Sequence, residues 1–200
     1  MKLIMENWKK FLLDEGIANI DDLPDGAIYI EGGKSHHRSQ RIYTCYLIID
    51  GRKAGSLGVD NVEYSFSDHS DEAECEDLKK ELKNLYTIHR DLEPFAIGKG
   101  YGALLTEIAM DLAVKDGKKI IPAALTSNGY LSEDGKKMFD YWFNRYTDVS
   151  VEEFDPGCWE IITGMPNKVD EYWRWESVWA LYSRKGQKIL PKAGNKIRWG

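Results

Sequence analysis

Cysteine is scarce. Cys45, Cys75 and Cys158 are the only three in 200 residues, widely spaced and without a C-x-x-C pair. That pattern excludes a zinc ribbon or finger and a disulfide-dense small scaffold. It predicts free thiols in a reducing compartment. Long apolar runs are also missing. None approaches the ~20 residues of a membrane-spanning helix, and the first residues lack the apolar core of a secretory signal. A cytoplasmic protein with no membrane partner is expected. Positive charge is not in excess either: 27 Lys and Arg face 33 Asp and Glu, a net charge of −6. No general attraction to nucleic acid or anionic lipid follows from that balance, and no nucleic-acid partner is expected. No internal repeat is visible, which excludes a solenoid or propeller.

What is present is an ordinary soluble composition, 42% hydrophobic and 30% charged, in a chain long enough for one domain with a real core. The expected organisation is an N-terminal amphipathic helix and linker (1–24), a main α/β domain (25–183) and a basic, partly mobile tail (184–200). In the first segment Ile4, Trp8, Phe11 and Leu12 share a helical face over residues 3–15. Ala27–Glu31 reads as a short strand. His36-His37 sits on a polar loop with no third metal ligand at a telling spacing. Gly33-Lys34-Ser35 lacks the preceding glycine of a phosphate loop. Arg41–Ile49 and Arg52–Val59, joined by Asp50-Gly51, form a hairpin. Gly55 and Gly58 mark a bulge or a close approach.

Asp71–Lys83 is a short helix or a solvated loop. Leu85–Leu92 is a strand with Thr87, His89 and Asp91 on one face and Tyr86, Ile88, Arg90 and Leu92 on the other. Tyr101–Lys115 is a helix whose stripe is Leu104, Leu105, Ile108 and Leu112, with Glu107, Asp111 and Lys115 facing out. Lys118–Leu125 is a buried strand interrupted by Pro122. Ser132–Tyr146 is a second helix. Trp159–Thr163 and Ser177–Ser183 read as strands, with the aromatic run Tyr172-Trp173-Arg174-Trp175 between them.

The most informative stretch runs from Leu92 to Gly102. Gly98, Gly100 and Gly102 lie between a strand and a helix, so backbone N–H groups and a helix N-terminus can converge on an anion. It is not a Walker A loop: Glu93 stands where the first glycine belongs and Gly100 follows Lys99. Gly98-x-Gly100-x-x-Ala103 matches a dinucleotide fingerprint. Yet a hairpin precedes it, and the next strand ends without an acid.

The order hairpin, strand, glycine loop, helix, strand, helix, strands resembles the GNAT family of acyl-CoA N-acyltransferases. The likeness is detailed from Leu92-Glu93-Pro94-Phe95-Ala96 through Ile97-Gly98-Lys99-Gly100-Tyr101-Gly102 to Leu104-Leu105, and coarser over Arg41–Tyr146. It implies a mixed, mostly antiparallel sheet that splays at the glycine loop, flanked by helices. It implies acetyl-CoA as co-substrate and a primary amine, on a small molecule or a protein, as acceptor. Leu92 would meet the pantetheine arm, and Ile97, Gly98, Lys99, Gly100, Tyr101 and Gly102 the pyrophosphate. Ile97 stands where the family usually carries Arg or Gln, and Lys99 is placed to compensate.

Acyl transfer to an amine calls for a base. His89 is the first choice, with Asp91 and Glu93 as alternatives. By the resemblance, Tyr141 on the later helix is the acid for the leaving thiolate, with Tyr146 in reserve, and Asn128 would position the cofactor or cap that helix. A second expectation comes from the opening residues. Met1 to Trp8 resembles the capsid-targeting leaders of tailed-phage head proteins, and Ile4-Met5-Glu6 fits a prohead-protease site. That implies a catalytically inactive GNAT-like virion or interaction protein.

Overall fold

Asp50 and Gly51 both adopt left-handed backbone, with φ of 51° and 70°. Two such residues in succession match the right-handed twist of paired strands, so Arg41–Ile49 (β2) and Arg52–Asn61 (β3) fold back on one another. The structure, a computed structural model, describes residues 17–33, 41–62, 75–81, 84–122, 133–145, 147–163 and 179–200. The N-terminal helix, His36-His37, Asn128, Tyr146, Trp173 and Trp175 lie outside the described residues.

Ile28–Gly32 (β1) pairs antiparallel with β2, and Leu85–Leu92 (β4) antiparallel with β3. After β4 the chain forms a 15-residue helix, Tyr101–Lys115 (α2), and returns as Lys119–Ile120 (β5), parallel to β4. A parallel neighbour requires such a crossover. Val149–Glu153 (β6) and Ala180–Arg184 (β7) pair antiparallel with one another, and Ile197–Trp199 (β8) lies parallel to β1. The result is one mixed, mostly antiparallel sheet of eight strands in the order β6-β7-β5-β4-β3-β2-β1-β8. Among the described residues four α-helices accompany it: Glu76–Glu81 (α1), α2, Glu133–Arg145 (α3) and Pro156–Thr163 (α4). None is long and apolar enough to cross a membrane.

Alternation along the strands sends Ile28, Ile30, Cys45, Leu47, Leu57 and Val59 to one face, all fully buried. Leu104, Leu105, Ile108 and Leu112 of α2 complete the same core, as the 3.6-residue stripe requires. Across β6 and β7 the core is aromatic: the rings of Phe139 and Trp142 on α3 pack 5.1 and 5.6 Å from that of Tyr182.

Four expectations are corrected. Glu107 and Asp111, expected to face solvent, are 3% and 0% exposed. The tail, expected to be partly mobile, is what buries them. It leaves β7, crosses α2 and ends as β8 beside β1, with its Lys188, Ile189 and Leu190 N–H groups all donating to the Asp111 carboxylate. Trp159–Thr163, expected as a strand, belongs to α4. Asp155 accepts from the Gly157 N–H at 2.7 Å and Pro156 opens the helix, a start signal that outweighs the apolar run. Finally, Cys75, just before α1, and Cys158 of α4 form a disulfide, with Cα atoms 5.4 Å apart, and only Cys45 is free. Their 83-residue separation hides the pair from any reading of local spacing.

Candidate functional site

The glycine loop begins where β4 stops pairing. The Glu93 N–H still reaches back to the Ala54 carbonyl, at 3.0 Å. Pro94, Phe95 and Ala96 then make one 3-10 turn, closed by Ala96 N–H on the Glu93 carbonyl at 2.8 Å. Ala96 is fully buried and anchors the turn, while Ile97 beyond it is 64% exposed. Gly98 and Gly100 both take left-handed backbone, with φ of 78° and 72°. That conformation costs an L-residue with a Cβ roughly 1–2 kcal/mol.

Gly100 is the N-cap of α2 and gives the helix no side-chain cap. The first-turn N–H groups, from Tyr101 onward, lack intrahelical partners by construction and carry the positive end of the helix dipole. Gly102, one residue into the helix, lies against the strand: a Cβ there would meet the Arg90 guanidinium and the Leu92 Cδ1 at 3.1 Å. The Arg90 Nη1 donates to the Thr106 hydroxyl at 3.1 Å, which ties β4 to α2 just behind the loop.

The hairpin adds a residue that the sequence reading missed. Gly55 pairs with Leu92, so the Asp50-Gly51 end of the hairpin and the glycine loop share one end of the sheet. There the Arg52 guanidinium lies 4.6 Å from the centre of the Phe95 ring, and the Lys99 ammonium 5.9 Å from the same centre. Two cations therefore share one aromatic ring beside the loop. The signal was the turn itself, which fixes where Arg52 emerges, but its neighbour across the sheet is a tertiary matter.

No protein-family model, no curated protein and no solved structure matches the chain. What the protein does is therefore inferred from its own residues.

His89, the expected base, is half-buried on β4. Its Nε2 lies 3.4 Å from the Asp60 carboxylate on β3. Asp60 also takes the Arg41 guanidinium, Nε at 2.5 Å and Nη2 at 3.3 Å. Thr87, His89 and Asp91 share the sheet face opposite α2, since their neighbours Arg90 and Leu92 contact the helix. Asp91 is exposed, and Glu93 is half-buried at the loop entrance. Tyr141, the expected acid, is half-buried on α3 against the core. The site residues expected from the sequence thus fall in three places: the loop, the polar face of β4, and α3. The geometry joins Leu92 to the loop through Gly102, and His89 to Asp60.

Proposed function

We propose that the protein is an acyl-CoA-dependent N-acyltransferase that moves an acetyl group from acetyl-CoA to a primary amine. The observation that carries this reading is the left-handed pair Gly98 and Gly100 at the start of α2, where the N-cap residue has no side chain to cap the helix. A pyrophosphate needs converging N–H donors that no Cβ obstructs, with a positive helix end behind them. Lys99 and Arg52 add full positive charges at the same end of the sheet. They offset the apolar Ile97. Parallel pairing of β4 with β5 is described for two residue pairs, Leu85 with Lys119 and Tyr86 with Ile120, and the reading puts the thioester beyond them.

In this reading the loop N–H groups and the two cations bind the phosphates, and the Leu92 backbone holds the pantetheine arm. Bound there, acetyl-CoA supplies an activated carbonyl carbon. His89 takes the proton that the acceptor nitrogen gives up as its lone pair forms the new C–N bond. The C–S bond breaks with its electron pair on sulfur, and the Tyr141 hydroxyl protonates that thiolate. One proton leaves the amine and one reaches the thiol, so the reaction is balanced. The net charge of −6 favours a cationic, amine-bearing acceptor.

Calorimetry with acetyl-CoA tests the proposal. Binding that Gly100→Val abolishes supports it, and no binding at millimolar cofactor overturns it. A second reading, a GNAT-like fold without turnover in a virion or interaction protein, is favoured by one observation: the exposed apolar Ile97 in place of a phosphate-facing Arg or Gln. Binding without transfer to any amine in a broad panel would select it.

A further inference from the structure

The β3–β4 register sets Gly58 directly opposite His89, and Asp60 opposite Thr87. On the other side of β3, Thr44 pairs with Gly58 and Arg41 with Asp60. Gly58 itself is buried, and a Cβ there would collide with the Arg41 guanidinium. The missing side chain is therefore the space in which Arg41 lies down across the sheet. From it, Arg41 meets Asp60 through two nitrogens while Asp60 reaches His89. Two-point pairing of a guanidinium fixes the carboxylate in orientation as well as in charge.

We propose that Asp60 is a positioning residue for His89 and that Arg41 cancels the charge of that carboxylate. Lying beside Nε2, the carboxylate favours the tautomer with the proton on Nε2, which leaves the Nδ1 lone pair as the proton acceptor. A bare carboxylate at this distance would also stabilise the imidazolium, which is useless as a base. The Arg41 guanidinium removes that penalty, because the ring then faces a neutral ion pair. Among the described residues, the other charged groups that the strand registers place in these rows are Asp91 on the same face of β4, Arg90 on its opposite face and Glu31 of β1, two strands beyond Gly58 in the same cross-strand row. This assignment rests on the acyltransferase reading, in which His89 is the base.

The test is long-range nitrogen–proton NMR of the four histidines in the full chain at one fixed pH, with His89→Gln assigning the signal. The wild type is expected to show the Nε2–H tautomer. Arg41→Met uncovers Asp60 and should put protons on both His89 ring nitrogens under conditions where the wild type carries one. Arg41→Lys keeps the charge and should restore most of the wild-type signal. Asp60→Asn should erase the tautomer preference, and combined with Arg41→Met it should remove the doubly protonated signature. A His89 signal that Arg41→Met leaves unchanged, or a tautomer unchanged in Asp60→Asn, overturns the inference. Arg41→Lys supplies the folded control should Arg41→Met unfold. Acetyl-CoA calorimetry on the wild type decides the parent reading separately, so the two failures are distinguishable.

Discussion

The Arg184 guanidinium lies 2.7 Å from the Glu107 carboxylate, across 77 residues of sequence, with both side chains 4% exposed. A second contact, at 3.4 Å, reaches Asp111, which is fully buried. Burial of two carboxylates against one guanidinium would be costly alone. The three successive N–H groups of Lys188, Ile189 and Leu190 on Asp111 make up the deficit. This cluster is the clasp that holds the C-terminal segment over α2, the helix whose N-terminus forms the glycine loop.

Asp111→Ala should therefore be among the most damaging single changes in the chain. It takes the shared acceptor from three N–H groups and one of the carboxylates from Arg184. A loss of roughly 3–5 kcal/mol is expected, read as a lower urea midpoint at unchanged slope. A loss below about 1 kcal/mol would mean that the tail does not depend on this clasp.

Gly100 and Gly117 make a matched pair for testing the loop. Both have left-handed backbone, with φ of 72° and 66°. Gly117 follows α2 in open space, and a Cβ there would meet nothing within 4 Å. Alanine at either position should cost about 1–2 kcal/mol of stability from backbone strain. Only Gly100→Ala should also weaken acetyl-CoA, at least tenfold by calorimetry. Equal effects on binding would remove the loop from the cofactor site.

Thiol counting checks the cysteine assignment. Burial pushes the Cys45 thiol up to about 12, and the side chain has no exposed surface. The native protein should therefore show no reactive thiol to a disulfide reagent, the denatured protein one, and the denatured and reduced protein three. Cys75→Ser should cost roughly 2–4 kcal/mol under non-reducing conditions and little under reducing ones. Three thiols without reduction would contradict the Cys75–Cys158 bond.

Alkaline pH should loosen the contact between the sheet and the C-terminal end of α2. Tyr43 and Tyr86 both donate to the Asp116 carboxylate, at 3.1 and 2.8 Å. Burial first, and then this carboxylate, push the Tyr43 hydroxyl up to about 12 and raise that of Tyr86 as well. A folded-state value above the unfolded one favours the protonated, folded form. Its contribution is complete below about pH 10 and disappears as pH rises through the raised values. Urea midpoints should fall over that window, and Tyr43→Phe with Tyr86→Phe should flatten the fall.

The local elements were legible where local rules govern. β2, β4 and α2 begin and end where alternation, the Asp50-Gly51 turn and the helical stripe put them. The glycine loop was legible for the same reason, since left-handed backbone at Gly98 and Gly100 is a property of residue type. His89 could be placed on a face, but its partners could not be named. Asp60 and Arg41 reach it only through the registers of two strand pairs.

By itself the sequence determined periods, turns and the glycine-rich stretch between β4 and α2. The tertiary structure alone decided which charged residues are buried. Glu107 and Asp111 flank the apolar stripe of α2 on its Leu104 side, and a helix packed on the sheet alone would leave their carboxylates at the water's edge. They are buried because a segment more than 70 residues later, Arg184 to Leu190, lies across them and supplies the charge and N–H groups they need. Helical period is a local quantity, whereas desolvation depends on everything that packs nearby.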